Sequence, residues 1–166
     1  VISTTKGKNE CLMTLTDRKV RFEIIAKLKE KNKEDVVEKI KRIKKILKNN
    51  SSDVIKSIST DNGTEFSEWQ QIQEILDTTV YFCHPYASYE KGTNEKHNGM
   101  IRYFIPKRAF IENYSNKDIE KIANWMNNYP RKIFRYKTPT EMLKEELNND
   151  ELFNKIINIQ KELNVV

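Results

Sequence analysis

The spacing of apolar residues in the first half of the chain predicts alternating strands and helices. Strand-forming residues cluster at 10–16 and 21–28, and the polar segment DRKV between them predicts a hairpin. Over 33–50 the apolar residues recur every three or four positions, which predicts an amphipathic helix with a lysine-rich outer face. Further strands are predicted at 54–60 and 79–83.

A helix is predicted between those last two strands, at 68–76, where Ser67 can cap its first turn. Helical spacing dominates the remainder of the chain, which is expected to form four helices: 93–104, 115–128, 138–147 and 151–163. The predicted fold class is therefore α/β, a mixed sheet whose later strands are parallel, flanked by helices and followed by additional C-terminal helices. The apolar stripe of the last helix is expected either to cover the core or to pair with another subunit.

Length and composition predict one cytoplasmic domain. The 166 residues are 37% hydrophobic and 33% charged, which suits a single domain with a modest core. No apolar run approaches the roughly 20 residues that span a bilayer, and the N-terminus lacks a signal-peptide pattern. Cys11 and Cys83 lie far apart and form neither a metal-type pair nor a disulfide framework, as expected in a reducing compartment.

The positive charge is concentrated in one part of the sequence. The formal net charge is +6, and between His84 and Lys137 there are 11 Lys and Arg against 5 Asp and Glu, so this third carries the whole excess. Aromatic residues are interleaved with these cations. Such a segment is typical of a surface that meets phosphates, with rings available to stack on bases. A solvated basic face explains the charge equally well.

Two acidic residues lie at the predicted end of a strand, in the segment STDNGTEF at 59–66. Asp61 falls at the carboxyl edge of the sheet, where open α/β sheets tend to bind ligands. Asn62 and Gly63 predict a tight turn, in which Gly63 tolerates a positive φ. Glu65 falls where a helix begins, a position that favours a carboxylate. An ordinary Asx turn explains this segment on its own, and a catalytic carboxylate is the alternative.

The predicted helix at 93–104 carries polar groups along one face. Glu95, Asn98 and Arg102 are three and four residues apart and therefore share that face. Almost no apolar residue lies there, so the face is poorly suited to packing against a core. It is either a solvated surface or a site that presents a carboxylate together with amide and guanidinium groups.

Three segments together resemble a known protein family: the turn at 61–66, the segment VYFCHPYASYEKGTNEKHNGMIRYFIPK at 80–107 and the segment NNYPRKIFRYKTPTEML at 127–143. In this order they resemble the integrase core of bacterial insertion-sequence transposases, specifically insertion-sequence family 30. The resemblance implies a ribonuclease H-like fold, a five-stranded mixed sheet flanked by helices. It also implies a catalytic core at 1–147, with a helical extension of the same domain at 148–166.

Catalytic and metal-binding residues follow from the same resemblance. The family's set is two Asp and one Glu that together hold two divalent ions, and by motif the second Asp corresponds to Asp61 and the Glu to Glu95, with 33 residues between them. Two Mg²⁺ (or Mn²⁺) ions are the implied cofactors, and carboxylate oxygens suit them. The first Asp is expected upstream of Val1, which begins within an apparent strand. Asp17, the acidic residue nearest the start of the sheet, is interpreted as part of a hairpin turn.

DNA, as transposon ends and as target, is the implied partner, and assembly on DNA implies a homo-oligomer. The predicted DNA contacts are polar and basic residues that mostly hold phosphates: Asn94, Lys96, Asn98, Arg102, Lys107, Arg108, Arg131, Lys132, Arg135 and Lys137. His84 and His97 are interpreted as surface or loop residues rather than metal ligands. Trp125 is assigned to a helix core, on the same apolar stripe as Ile122.

The implied function is metal-dependent DNA strand cleavage and strand transfer by a transposase that associates with the nucleoid when it is bound to DNA. One alternative is a catalytically inactive remnant that binds DNA or a partner protein, an interpretation favoured by the missing first Asp. Another is a ribonuclease H-type hydrolase that cuts RNA in hybrids. Fold alone does not decide among the three.

Overall fold

The computed structural model describes residues 10–84 and 92–164 together with the backbone of Ile2 and Ser3. Within these residues, five strands and seven α-helices form a mixed α/β fold, in which three antiparallel strands stand beside two parallel ones. No helix in this part of the chain is long and apolar enough to cross a membrane. The predicted α/β class is confirmed, and residues 85–91, between the strand predicted at 79–83 and the helix predicted at 93–104, lie outside the described residues.

The antiparallel sheet contains β1 (Ile2–Ser3), β2 (Cys11–Thr16) and β3 (Glu23–Leu28), in that order. β2 and β3 form the predicted hairpin. The Asp17 carboxylate accepts hydrogen bonds from two backbone N–H groups of the turn, at 2.7 and 2.8 Å. Because such bonds close an Asx-type turn, the predicted turn at Asp17 is confirmed.

A helical crossover leads from this sheet to the parallel strands. The chain runs through α1 (Lys33–Leu47) and the short α2 (Ser51–Val54) into β4 (Ser57–Thr60), and α3 (Trp69–Leu76) then leads to β5 (Thr79–Phe82). β4 and β5 pair in parallel, as predicted. The strand predicted to begin at position 54 begins at 57, because Val54 is the last residue of α2 and Ile55 caps that helix.

The start of α3 also differs from the prediction. Ser67 closes a short 3₁₀ helix, Thr64–Phe66, through a backbone hydrogen bond to the Thr64 carbonyl. Glu68 precedes α3, and no side chain caps that helix. The predicted Ser67 cap is therefore wrong, since the 3₁₀ turn already determines how the chain enters α3.

The second half of the described chain is helical. It contains α4 (Gly92–Phe104), α5 (Asn116–Asn128), α6 (Pro139–Leu147) and α7 (Asp150–Glu162). Both α5 and α6 begin at a capping box, in which the capping side chain and an acidic residue three positions later satisfy each other's backbone N–H groups. These local signals explain why the predicted boundaries lie close to the observed ones.

Two hydrophobic clusters lie on opposite faces of the β2–β3 hairpin, because successive side chains of a strand alternate. Leu12 and Ile25 join the buried side chains of α4 and α5 on one face. Cys11, Met13 and Ala26 join those of α1, α3, α6 and α7 on the other. The hairpin is therefore the layer between α4 and α5 on one face and α1, α3, α6 and α7 on the other.

The outer edge of β3 is closed by amide side chains rather than by another strand. Asn127 exchanges two hydrogen bonds of 2.8 Å with the backbone of Glu23, and Gln160 exchanges bonds of 2.8 and 2.9 Å with the backbone of Ile25. Asn164 donates a further bond to the same Ile25 carbonyl at 3.0 Å. Strand edges left open invite pairing with other chains. The last helix therefore covers the core, one of the two roles predicted for it.

A cavity of about 390 Å³ is lined by residues of both sheets. They include Thr14 and Thr16 of β2 and Ser57 and Ser59 of β4. The described strands form a group of three and a group of two. They do not form the single five-stranded sheet that the resemblance implies.

Candidate functional site

Asp61 lies immediately after β4, at the carboxyl edge of the parallel strands. Its side chain is exposed, and the backbone N–H of Gly63 donates to its carboxylate at 3.3 Å. The Thr60 carbonyl before it accepts a hydrogen bond from the Cys83 N–H at 2.9 Å, which continues the ladder to the end of the strand. The strand end and the Asx-type turn together hold this carboxylate outside the sheet.

A second carboxylate, that of Glu65, is buried behind this turn. The Glu65 side chain is 3% exposed, and Lys31 Nζ lies 3.4 Å from its Oε1. A Cβ atom at Gly63 would stand 2.5 Å from Glu65 Oε2. The φ of Gly63 is −66°, so the turn does not use the positive φ that glycine tolerates, and glycine is required here for close approach. The predicted helix-start position of Glu65 is confirmed, although its side chain supports the Asp61 turn from within.

Helix α4 presents faces of different character. His97 and Ile101 are buried against the hairpin. Glu95 is exposed on another face, with the half-buried Asn98 and Arg102 beside it. Burial lowers the pKa of the Arg102 guanidinium, although an arginine stays charged after such a shift. The polar face is therefore not a uniformly solvated one, because it combines an exposed carboxylate with partly desolvated donors.

The cavity between the sheets brings the start of α4 to the end of β4. Asn94 shares the wall of this cavity with Ser59 and Cys83. Asp61 follows Ser59 by two residues, and Glu95 follows Asn94 directly. The elements that carry the two predicted catalytic carboxylates therefore border the same cavity.

Asp61 and Glu95 are the described residues that the resemblance assigns to a metal site. Within 10–84 and 92–164, no group of three or more His, Cys, Asp and Glu side chains is arranged to hold a metal ion. Asp61 and Glu95 are exposed carboxylates, the kind of oxygen donor that Mg²⁺ prefers. The donor chemistry fits Mg²⁺, and a further acidic ligand would bring the set to the three carboxylates implied by the resemblance.

The environment of His97 differs from its prediction as a surface or loop residue, which is wrong. Its ring is 3% exposed, and its Nδ1 lies 2.6 Å from Oε2 of the fully buried Glu23. Thr16 Oγ1 donates to the same carboxylate oxygen at 2.6 Å. This pair ties α4 to the start of β3. His84 is exposed, in agreement with its prediction.

The predicted DNA-contacting residues occupy two settings. The exposed ones are Lys96, Lys107, Arg108, Lys132, Arg135 and Lys137, and the half-buried ones are Asn94, Asn98, Arg102 and Arg131. Lys137 forms an ion pair with Glu145 at 2.7 Å. Arg131 donates to the Met126 carbonyl at 3.1 Å, and burial lowers the pKa of its guanidinium. Arg131 is thus anchored to the protein, whereas most of the exposed lysines and arginines extend from its surface.

A second cleft, of about 760 Å³, lies beside α4 and collects four basic residues: Arg21, Lys96, Arg131 and Lys132. Arg21 was not identified from the sequence; its guanidinium donates to Thr93 Oγ1 at the start of α4. Trp125 is 40% exposed at this cleft, so its assignment to the core is wrong, whereas Ile122 on the same stripe is buried. Trp125 lies at the border of the apolar stripe of α5, where the hairpin no longer covers the helix.

Three curated transposases are similar to this chain over most of its length. The transposase for insertion sequence element IS4351 of Bacteroides fragilis is 38% identical over 151 residues, which are 90% of this chain and 45% of that protein. Transposase InsI for IS30A of Escherichia coli strain K12 is 35% identical over 136 residues, 82% of this chain and 35% of that protein. The probable transposase for the insertion-like element IS1161 of Streptococcus salivarius is 38% identical over 131 residues, with coverage of 79% and 36%.

No family model matches the chain. The chain spans less than half the length of these three curated relatives. Identities of 35–38% over most of this chain nevertheless confirm the resemblance inferred from its motifs. The chain is therefore related to the insertion-sequence transposases, including those of the IS30 type.

Proposed function

We propose that this chain is the catalytic core of a DNA transposase, which cuts and joins DNA strands with Asp61 and Glu95 as metal ligands. The observation that carries the proposal is the arrangement around the cavity, whose wall joins the strand that ends at Asp61 to the first turn of the helix that bears Glu95. Relatives named as transposases support the same conclusion. Such a protein acts in the cytoplasm, on the nucleoid.

The finer fold in this proposal is the ribonuclease H-like one, with a single five-stranded sheet. Support comes from the register of β1, in which Ile2 pairs with Leu12 of the antiparallel β2. A strand that continued β1 toward its N-terminus would run past the rest of β2, where Thr14 and Thr16 line the cavity, with β4 on the far wall. Such a strand would join the two sheets in the order β3-β2-β1-β4-β5. We place the first catalytic Asp on it, upstream of Val1.

The proposed reaction consists of two in-line displacements at phosphodiesters. In cleavage, a water oxygen bonds to phosphorus, the bond to the 3′ oxygen breaks, and a 3′-hydroxyl and a 5′-phosphate result. In strand transfer, that 3′-hydroxyl bonds to a target phosphorus and releases a new 3′-hydroxyl. Two Mg²⁺ ions, when bound, activate the nucleophile and stabilise the leaving oxygen. Asp61, in the hydrogen-bonded turn that follows β4, and Glu95, on α4, would supply oxygen ligands.

Residues next to Glu95 hold the DNA in this proposal. Lys96, Asn98 and Arg102 follow it on α4, and their donors suit phosphate oxygens, which position DNA without reading its sequence. The concentration of excess positive charge between His84 and Lys137 supports binding to a polyanion. This binding should weaken steeply with added salt, because each neutralised phosphate releases counterions. Transposon ends and target DNA are the proposed partners, on which the protein assembles as a homo-oligomer.

Strand transfer by the protein that carries the residues preceding Val1 tests the catalytic roles. Asp61→Asn and Glu95→Gln should each lower the Mg²⁺-dependent rate by about 10²–10³-fold, the range seen when a group that stabilises developing charge is removed. Asp53→Asn and Glu74→Gln, which change exposed acids outside the site in the same way, should leave it unaltered. Circular dichroism and duplex binding confirm that each variant is folded. Activity retained in Glu95→Gln would refute the assignment.

A DNA-binding remnant without catalysis is the second candidate. It is favoured by the absence, within 10–84 and 92–164, of three acidic side chains that converge on one point. Salt-sensitive duplex binding combined with no Mg²⁺-dependent or Mn²⁺-dependent strand transfer by the longer protein would support this candidate over the enzyme.

A further inference from the structure

The 760 Å³ cleft beside α4 is not explained by the proposed catalytic site. One wall is a strip of α4 that contains Lys96, Gly99 and Tyr103, spaced three and four residues apart. Glu95 is on a different face of the same helix, since residues one position apart in a helix point about 100° away from each other. We call this space the aromatic cleft, because three of its lining side chains are exposed aromatic rings: Tyr103, Trp125 and Tyr129.

Those rings are unusually accessible for large apolar groups. Tyr103 is 81%, Tyr129 48% and Trp125 40% exposed. Trp125 and Tyr129 are 4.9 Å apart between ring centroids, and Trp125 also contacts Phe104 at 4.9 Å. The rings of Trp125 and Tyr129 therefore form a supported platform rather than isolated side chains. A cluster of exposed aromatic side chains of this kind marks an interaction site.

Among the described residues that line the aromatic cleft, every Lys, Arg, Asp or Glu is a cation. Arg21, Lys96, Arg131 and Lys132 contribute positive charge, and no Asp or Glu is among the lining residues. The Arg131 guanidinium lies 5.5 Å from the centroid of the Tyr129 ring. Its Nε is buried and has no hydrogen-bond partner within the described part of the chain. A ligand that brings negative charge and flat rings matches both properties of the cleft.

We propose that the aromatic cleft binds unpaired bases of a single DNA strand. This inference rests on the proposed function and specifies which part of the DNA substrate the cleft takes. Aromatic side chains can stack on any base, and a basic groove holds the phosphates between the bases, which is how proteins bind single strands without sequence preference. Paired bases in a duplex are stacked on each other and cannot reach Trp125 or Tyr129. A cleft of about 760 Å³ is within the usual size range of ligand pockets.

The position of the aromatic cleft suits this role. Its α4 strip begins at Gly92 and Thr93, in the first turn that also bears Glu95. A DNA strand that is cut at Glu95 could therefore continue into the cleft within a few nucleotides. The cleft would hold a frayed or displaced strand close to the reacting phosphate.

Fluorescence of Trp125 tests the proposal directly. The 166-residue chain has two tryptophans, so its Trp69→Phe variant leaves Trp125 as the only tryptophan reporter in these 166 residues. An oligothymidylate of about 12 nucleotides should quench Trp125 and should bind about tenfold more tightly than an abasic strand of equal length and charge. Tyr103→Ala and Tyr129→Ala should each weaken binding of the thymidylate about tenfold and leave binding of the abasic strand unchanged.

Tyr81→Ala is the matched control, because Tyr81 is 57% exposed on β5 and does not line the aromatic cleft. It should not change either affinity. Equal binding of the thymidylate and the abasic strand would overturn the proposal. So would sedimentation data in which Tyr103→Ala and Tyr129→Ala dissociate a dimer without affecting DNA, since the cleft would then be a self-association surface.

The two proposals can fail separately. Equal affinity for the thymidylate and the abasic strand, combined with strand transfer that depends on Asp61 and Glu95, would refute base binding in the aromatic cleft. The catalytic roles of Asp61 and Glu95 would then still be supported. The opposite result is base-dependent quenching of Trp125 in a protein whose strand transfer does not depend on Asp61 and Glu95. It would refute the catalytic roles of these two residues and support base binding in the aromatic cleft.

Discussion

The buried pair of Glu23 and His97 should be a large local contribution to stability. Glu23 is fully buried, and the hydroxyl of Thr16 and the Nδ1 of His97 each lie 2.6 Å from its Oε2. Its Oε1 is buried without a hydrogen-bond partner in the described part of the chain. His97→Ala would therefore leave a buried carboxylate with one hydroxyl donor, a loss that costs about 3–5 kcal/mol in buried pairs.

A double-mutant cycle measures this contribution. Glu23→Gln keeps the shape of the side chain and removes its charge, so His97→Ala should cost only about 1–2 kcal/mol in that background. Urea unfolding of the four proteins should then give a coupling energy of about 2–3 kcal/mol. His84→Ala, which removes an exposed histidine, should change the free energy of unfolding by less than about 0.5 kcal/mol. A cost below about 1 kcal/mol for His97→Ala, or costs that simply add, would refute the reasoning.

Three further outcomes are expected from the structure. Gly63→Ala should destabilise the protein by about 1–3 kcal/mol in thermal unfolding, because the new methyl group displaces the buried Glu65 carboxylate. In the native protein, a thiol reagent at pH 8 should modify Cys83 but not Cys11, since Cys11 is fully buried and burial raises the pKa of its thiol to about 11. Gln160→Ala should cost about 1–3 kcal/mol, because it removes the acceptor of the Ile25 N–H and leaves the Ile25 carbonyl with Asn164 as its donor.

Each of these outcomes can be contradicted. A Gly63→Ala protein as stable as the parent would show that the Glu65 carboxylate moves aside freely.

The raised pKa of Cys11 means that the folded state holds the thiol proton more tightly than the unfolded state, in which the thiol pKa is near 9. Stability should therefore be independent of this thiol below pH 9 and fall between about pH 9 and 11. Cys11→Ala should remove that part of the pH dependence, and an unchanged profile would contradict the account.

Local patterns in the sequence predicted the elements whose signals are themselves local. The apolar stripe of α1 and the capping boxes of α5 and α6 depend on residues a few positions apart, and these helices lie close to where they were predicted. The turn after β4 was also predictable, because Asp and Gly favour it. The reason for Gly63 was not, since it depends on where the Glu65 side chain folds back.

Contacts between distant residues were not predictable from spacing. Glu23 and His97 are 74 positions apart, and the amide groups that close β3 come from more than 100 positions away. The exposure of Trp125 depends on how much of α5 the hairpin covers. The helical spacing of apolar residues does not predict that extent. For the candidate site, motif resemblance identified Asp61 and Glu95, while the aromatic cleft became visible only once α4 and the end of α5 were placed together.

The central claim is that Asp61 and Glu95 share a metal site, and cleavage of the protein by bound Fe²⁺ tests it most directly. Fe²⁺ can replace Mg²⁺ on oxygen ligands. In the presence of ascorbate and peroxide, the bound Fe²⁺ generates radicals that cut the nearby backbone. Mass spectrometry of the longer protein should find cuts next to both Asp61 and Glu95, suppressed by excess Mg²⁺ and absent from Asp61→Asn. Cuts at only one of these positions, or the same cuts in Asp61→Asn, would contradict a shared metal site formed by the two carboxylates.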